Sequence, residues 1–178
     1  YAGLYPELVK KLVAIEGLGP SPKMLAERRK SDFATREREW IEAKRAAAAR
    51  QPKRYATLEE AFARMISENS FLSEEQARHL TIHGTHRNED GSYSWKFDNY
   101  LHLPWAHDTN PELVAQLWSR ITCPTLLMYG EKSWASNPVD DGRIEHFATA
   151  RVVTFENAGH WLHHDQFDRF VAELRAFL

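Results

Sequence analysis

The spacing of apolar residues divides the chain into three zones. Over residues 1–19, Leu4, Leu8 and Val9 fit one face of an amphipathic helix, and "KLVAIEGLGP" follows as a short apolar strand stopped by Gly17, Gly19 and Pro20. From Ser21 to about Arg120 the apolar positions recur at helical spacing among many charges, in "MLAERRKSDFATREREWIEAKRAAAARQ", "TLEEAFARMISEN" and "LSEEQARHLTIHG". Breaks fall at Gln51-Pro52, Asn69-Ser70 and Gly84. Ser73, with Gln76 three residues on, is a capping signal, and Asn110-Pro111 opens a further helix, "NPELVAQLWSRI". Between these helices "NEDGSYSWKFDNYLHLPWAHD" reads as a turn followed by an aromatic-rich segment, either a short hairpin or an irregular loop. Residues 121–178 are the most regular: "CPTLLMYG" and "ARVVTFEN" are continuous apolar runs of strand length, with "DDGRIEHFA" between them as the crossover. The closing "DQFDRFVAELRAFL" puts Phe167, Phe170, Val171 and Leu174 on one helix face. Strands alternating with helices predict an α/β fold with parallel strands.

Composition changes this picture little. At 178 residues with a net charge of −2, the chain has one domain's length and no global pull toward nucleic acid or anionic membrane. Between Lys23 and Arg54 eleven Lys/Arg stand against five Asp/Glu, but acids are interspersed and only Phe33 and Trp40 offer stacking faces. That pattern is a solvated helix rather than a nucleic-acid surface. Cys123 is the only cysteine, which excludes an intrachain disulfide. No apolar run reaches the ~20 residues that span a bilayer, so neither membrane nor nucleic acid is an expected partner, and cytoplasmic is the default location.

The chemistry concentrates in "FENAGHWLHHD", residues 155–165. In a parallel sheet, functional groups sit on loops beyond the carboxyl ends of the strands, and Ala158-Gly159 permits a tight turn that aims His160 there. His163 and His164 give an i, i+3, i+4 spacing with His160, followed by Asp165, which on a continuous helix could gather a metal. Because His160 ends a loop, that register does not hold. The reading is no metal and no cofactor, with His164-Asp165 capping the final helix.

"CPTLLMYGEKSWASNP" followed by "ARVVTFENAGHWLHHDQFDRFVAELRAFL" resembles the C-terminal part of α/β-hydrolase-fold enzymes, and within them the serine hydrolase-like group with its helical cap. The resemblance implies an α/β chain of about three parallel core strands with flanking helices plus a mainly helical cap. Residues 1–20 would end the N-terminal core part, 21–120 would be the cap, and 121–178 the C-terminal core part. It implies that His160 is the general base of a nucleophile–acid–histidine triad. No Gly-x-Ser-x-Gly occurs within the 178 residues, so the nucleophile is expected in a missing N-terminal half of the same fold and the fragment alone is expected to be inactive. Expressed alone, it is also expected to be poorly soluble, with one side of the Leu12–Glu16 strand unpaired. At the family's usual acid position stands Ser133, which cannot stabilise an imidazolium by charge. Glu16, at the end of the first strand, is the first choice for the acid, with Asp140 and Asp141 as alternatives. Trp95, Trp105, Trp134 and Trp161 are candidates to line an apolar pocket for a small-molecule substrate, an ester or related compound. Two alternatives stay open: a non-catalytic relative that binds a small apolar ligand or a protein partner, and a helical module whose basic stretch docks an acidic partner.

Overall fold

The computed structural model describes residues 1–103 and 110–178. The chain divides into two units, Tyr1–Lys30 with His107–Leu178, and Ser31–Ala106.

The first unit is built on three parallel strands, β1 (Leu12–Ile15), β4 (Thr125–Gly130) and β5 (Ala150–Phe155), in the order β1-β4-β5. Leu12 pairs with Thr125 and Ile15 with Met128, while Thr125 pairs with Ala150 and Gly130 with Phe155. β4 is central and every residue in it is buried. This explains the unbroken apolar run: a strand covered on both faces has no polar alternation to show. Leu126, Met128, Val153, Phe155, Ala158 and Leu162 form the core, and α7 (Phe167–Phe177) lays Phe170, Leu174 and Phe177 against it. Among the described residues, β1 has no strand partner on its other side.

Two sequence expectations are corrected here. The opening amphipathic helix is a single 3₁₀ turn, Pro6–Leu8, with Leu4 and Leu8 exposed at 57% and 62%. Pro6 biases Tyr5 away from helical geometry. The chain also runs close against the Leu117 backbone: a Cβ on Gly3 would lie 2.2 Å from the Leu117 carbonyl oxygen. The crossover between β4 and β5 likewise holds only a 3₁₀ turn, Arg143–His146. The first unit also contains α1 (Pro22–Arg28) and α5 (Pro111–Ser119), opened by Ser21 and Asn110, whose side chains accept the Met24 and Glu112 amides.

The second unit contains α2 (Phe33–Ala49), α3 (Leu58–Glu68), α4 (Glu74–Gly84) and an antiparallel hairpin of β2 (Thr85–Arg87) and β3 (Tyr93–Trp95). The aromatic-rich segment is therefore a hairpin at its start. Asp32 interrupts what reads as one long helix: its carboxylate accepts the Thr35 amide and starts α2. Ser73 and Gln76 form both halves of a capping box on α4. The helical zone 21–120 read from the sequence is wider than this unit, since α1 and α5 group with the sheet. Among the described residues no helix is long and apolar enough to cross a membrane.

Candidate functional site

The site is assembled from the loops that leave the carboxyl ends of the three parallel strands. Glu16 follows β1 directly and takes a left-handed backbone conformation, φ 50°, while its amide continues the ladder by donating to the Met128 carbonyl at 3.0 Å. For a residue with a Cβ that conformation costs of order 1 kcal/mol and persists only where the surroundings hold it. Here they do. The Glu16 side chain is wholly buried, and its Oε1 accepts the Gly130 amide at 2.8 Å. Its Oε2 accepts the Ser133 hydroxyl at 2.7 Å and is hydrogen-bonded to His160 Nδ1. A buried carboxylate without partners would be costly; one with three donors is a fixed point of negative charge.

His160 is carried by the loop after β5, and that loop is tied to the one after β4. Glu131 and Lys132 donate their amides to the Phe155 and Ala158 carbonyls at 2.9 and 2.8 Å, and the Glu131 carboxylate accepts the Asn157 amide at 3.0 Å. The two backbones approach so closely at Gly130 that a Cβ there would lie 2.2 Å from the Gly159 oxygen and 2.6 Å from the Ala158 oxygen. Only glycine fits. The His160 side chain remains 40% exposed, and the Trp134 ring stands 4.6 Å from its ring, tilted by 37°. Trp134 itself is 71% exposed, an apolar surface beside the imidazole.

Of the carboxylates marked by the sequence, the structure puts Glu16 on His160 and engages Asp141 elsewhere. Asp141 pairs with the buried Arg143 at 2.8 Å and accepts the Ser136 hydroxyl at 2.7 Å. Burial alone would raise its pKa, but the bonds from Arg143 and Ser136 outweigh it and hold the carboxyl below the ordinary value. Arg143 goes on to donate to the Gly19 carbonyl at 3.1 Å and the Ser136 carbonyl at 2.7 Å, which stitches the loop after Glu16 to the loop after β4. Asp140 is exposed, and its amide donates to the Asn137 carbonyl. On β4, burial pushes the Tyr129 phenol up to about 12, so it stays protonated.

Trp161 is half-buried, with its ring 5.9 Å from that of His164. Trp95 lies in the second unit and packs over Gly84, where a Cβ would come within 3.1 Å of its ring. Trp105 lies outside the described residues. The capping expectation for His164-Asp165 is corrected: Leu162–Asp165 is a separate short turn of helix, α6, and Asp165 accepts the Gly159 amide at 2.8 Å, steadying the histidine loop. α7 starts at Phe167, and its N-cap residue, Gln166, makes no side-chain cap. Burial, reinforced by the neighbouring His164, lowers the His163 pKa below its ordinary value. Among the described residues no three His, Cys, Asp or Glu side chains gather as a metal site.

Three contributors escaped the sequence reading: Gly130 and Ser133 as donors to Glu16, and Arg143 as the stitch between loops. A glycine ending a buried strand was the visible signal for the first. An arginine inside a crossover gave none for the last.

The sequence profile of the alpha/beta hydrolase family matches residues 2–173. The thioesterase domain from the curacin biosynthetic pathway superposes with a TM-score of 0.76 at 19% identity, over 98% of this chain and 60% of its own. A hypothetical protein of Pseudomonas aeruginosa gives 0.74 at 24%, over 98% and 62%. An esterase of Mycobacterium tuberculosis gives 0.71 at 17%, over 98% and 56%. The chain thus spans about three fifths of the length of these structures. A comparison with curated proteins finds no match.

Proposed function

The chain belongs to the alpha/beta hydrolase family, and on that premise we propose that it is the histidine-bearing C-terminal portion of a capped, cytoplasmic hydrolase acting on an ester or related bond of a small apolar substrate. His160 is the general base, Glu16 its acid, and the nucleophile lies outside these 178 residues. Ser31–Ala106 serves as the cap, and a segment of the same fold carrying the nucleophile is the partner that completes the site.

The observation that carries this reading is the bond between the buried Glu16 carboxylate and His160 Nδ1. A carboxylate can only accept, so the proton of the neutral imidazole resides on Nδ1 and the lone pair on Nε2. Nε2 is then the atom that takes the proton of an attacking hydroxyl and returns it to the leaving group. As the imidazolium forms, Glu16 stabilises it without having to move, because Gly130 and Ser133 already hold its two oxygens. Trp134 offers an apolar face beside the base, suited to an acyl or alkyl group.

The complete protein carrying this chain tests the proposal. It should be labelled by a fluorophosphonate probe and hydrolyse a short-chain p-nitrophenyl ester. His160→Ala should abolish both, and Glu16→Gln should slow hydrolysis by about 10⁴-fold, the scale seen when a triad acid is neutralised. A folded protein that neither labels nor turns over would overturn it in favour of a ligand-binding relative.

A further inference from the structure

Ser133 occupies the place where the resemblance leads one to expect an acid, yet its hydroxyl lies on the same carboxylate oxygen as His160. We infer that Ser133 is a positioning residue for the Glu16–His160 pair, an inference that rests on the triad reading above.

The hydroxyl is itself fixed. Its Oγ accepts the Ala135 amide at 3.0 Å, which leaves its own proton to be donated to Glu16 Oε2. The Ser133 amide closes a turn onto the Gly130 carbonyl at 3.1 Å, so Oγ is anchored to the end of the central strand. Without Ser133, the Gly130 amide would hold only Oε1, and the carboxylate could swing about that single bond. With it, both oxygens have a protein donor independent of His160, and the plane of the carboxylate is set before the histidine arrives. The next residue, Trp134, stands against the His160 ring. One short turn therefore fixes the acid from one side and covers the base from the other. A carboxylate in place of this hydroxyl could not donate to Oε2 and would face Glu16 as a like charge.

The test reads the Nδ1 proton of His160 directly, by nitrogen-edited NMR on the complete protein labelled at histidine, beside steady-state kinetics. The wild type should show a sharp low-field Nδ1–H resonance. In Ser133→Ala it should broaden or vanish through exchange as the carboxylate loses its seat. In the same variant kcat should fall about tenfold at unchanged KM, the rate equivalent of one hydrogen bond to a charged group. Ser133→Thr, which keeps the hydroxyl, should restore the resonance and the rate. An alanine variant with the wild-type line shape and kcat overturns the inference. So does a threonine variant that stays as impaired as alanine while its remaining spectrum is native. Glu16→Gln separates the two levels: it should remove the resonance, and if it does not, the Glu16–His160 pairing itself is wrong rather than the part assigned to Ser133.

Discussion

The two units reach stability by different means. In the first, the buried side chains are large: Leu126, Leu127, Met128, Tyr129, Phe155 and Leu162 are at or near complete burial. In the second, the helices bury small residues, Ala47 in α2, Ala61 in α3, and Ala77 with Thr81 in α4, and the large buried side chains, Tyr55 and Leu72, lie in the segments between them. The seventeen-residue α2 buries one residue. A large side chain contributes roughly 1.5–3 kcal/mol on full burial, and an alanine far less. The helices of this unit therefore lean on local devices: the Asp32, Thr57 and Ser73 caps, and exposed ion pairs such as Arg64–Glu68. The difference teaches where precision is required. The unit that carries His160 is specified by close packing, and the helices of the other lean on signals readable over four residues.

Gly130→Ala should give the largest stability effect. The new methyl would meet the Gly159 and Ala158 oxygens at 2.2 and 2.6 Å, and both belong to backbone that holds the histidine loop. We expect a loss of about 3 kcal/mol or more in denaturant unfolding. A loss under 1 kcal/mol would mean that the strand-end loops yield as easily as a surface helix does. Next comes Arg143→Met, which leaves the half-buried Asp141 without its counter-charge and frees the loop after Glu16. Breaking a buried pair in this way costs roughly 3 kcal/mol at the lower bound, and the partly accessible Asp141 should place this variant at or below that value.

A smaller effect is expected from acid. His163 has its pKa lowered in the fold by burial, so the folded state favours the neutral ring. Its contribution is complete above the unfolded value of 6.5 and is lost as pH falls through the lower folded value. The melting temperature of the wild type should therefore drop more between pH 7.5 and 5.5 than that of His163→Gln; parallel slopes would place the acid sensitivity elsewhere. The smallest change is Ser73→Ala, which removes the capping box of α4 at a cost of about 1 kcal/mol. Hydrogen exchange should localise that loss to the second unit. If it matched the Gly130→Ala loss, the contrast between packed and locally coded units would fail.

What was legible follows the same division. Ser73 with Gln76, Asn110 with Pro111, and the apolar runs of β4 and β5 are signals contained within a few residues, and each is found where the sequence puts it. The opening segment is no regular helix although Leu4 and Leu8 have helical spacing: both are exposed, and Pro6 biases Tyr5 away from helical geometry. Glu16 and His160 are 144 residues apart, and no local pattern relates them. Only the resemblance proposed that they meet. The roles of Gly130, Ser133 and Arg143 depend on side-chain reach between loops, information that exists only after the sheet has set its register.

The left-handed backbone at Glu16 has a consequence for anyone improving this protein. Glycine at position 16 would accept φ 50° without strain, a gain of order 1 kcal/mol, but it would leave the Gly130 amide and the Ser133 hydroxyl without their acceptor. Backbone comfort and side-chain pairing therefore act on this one residue in opposite directions, and a library built on this scaffold should hold it constant.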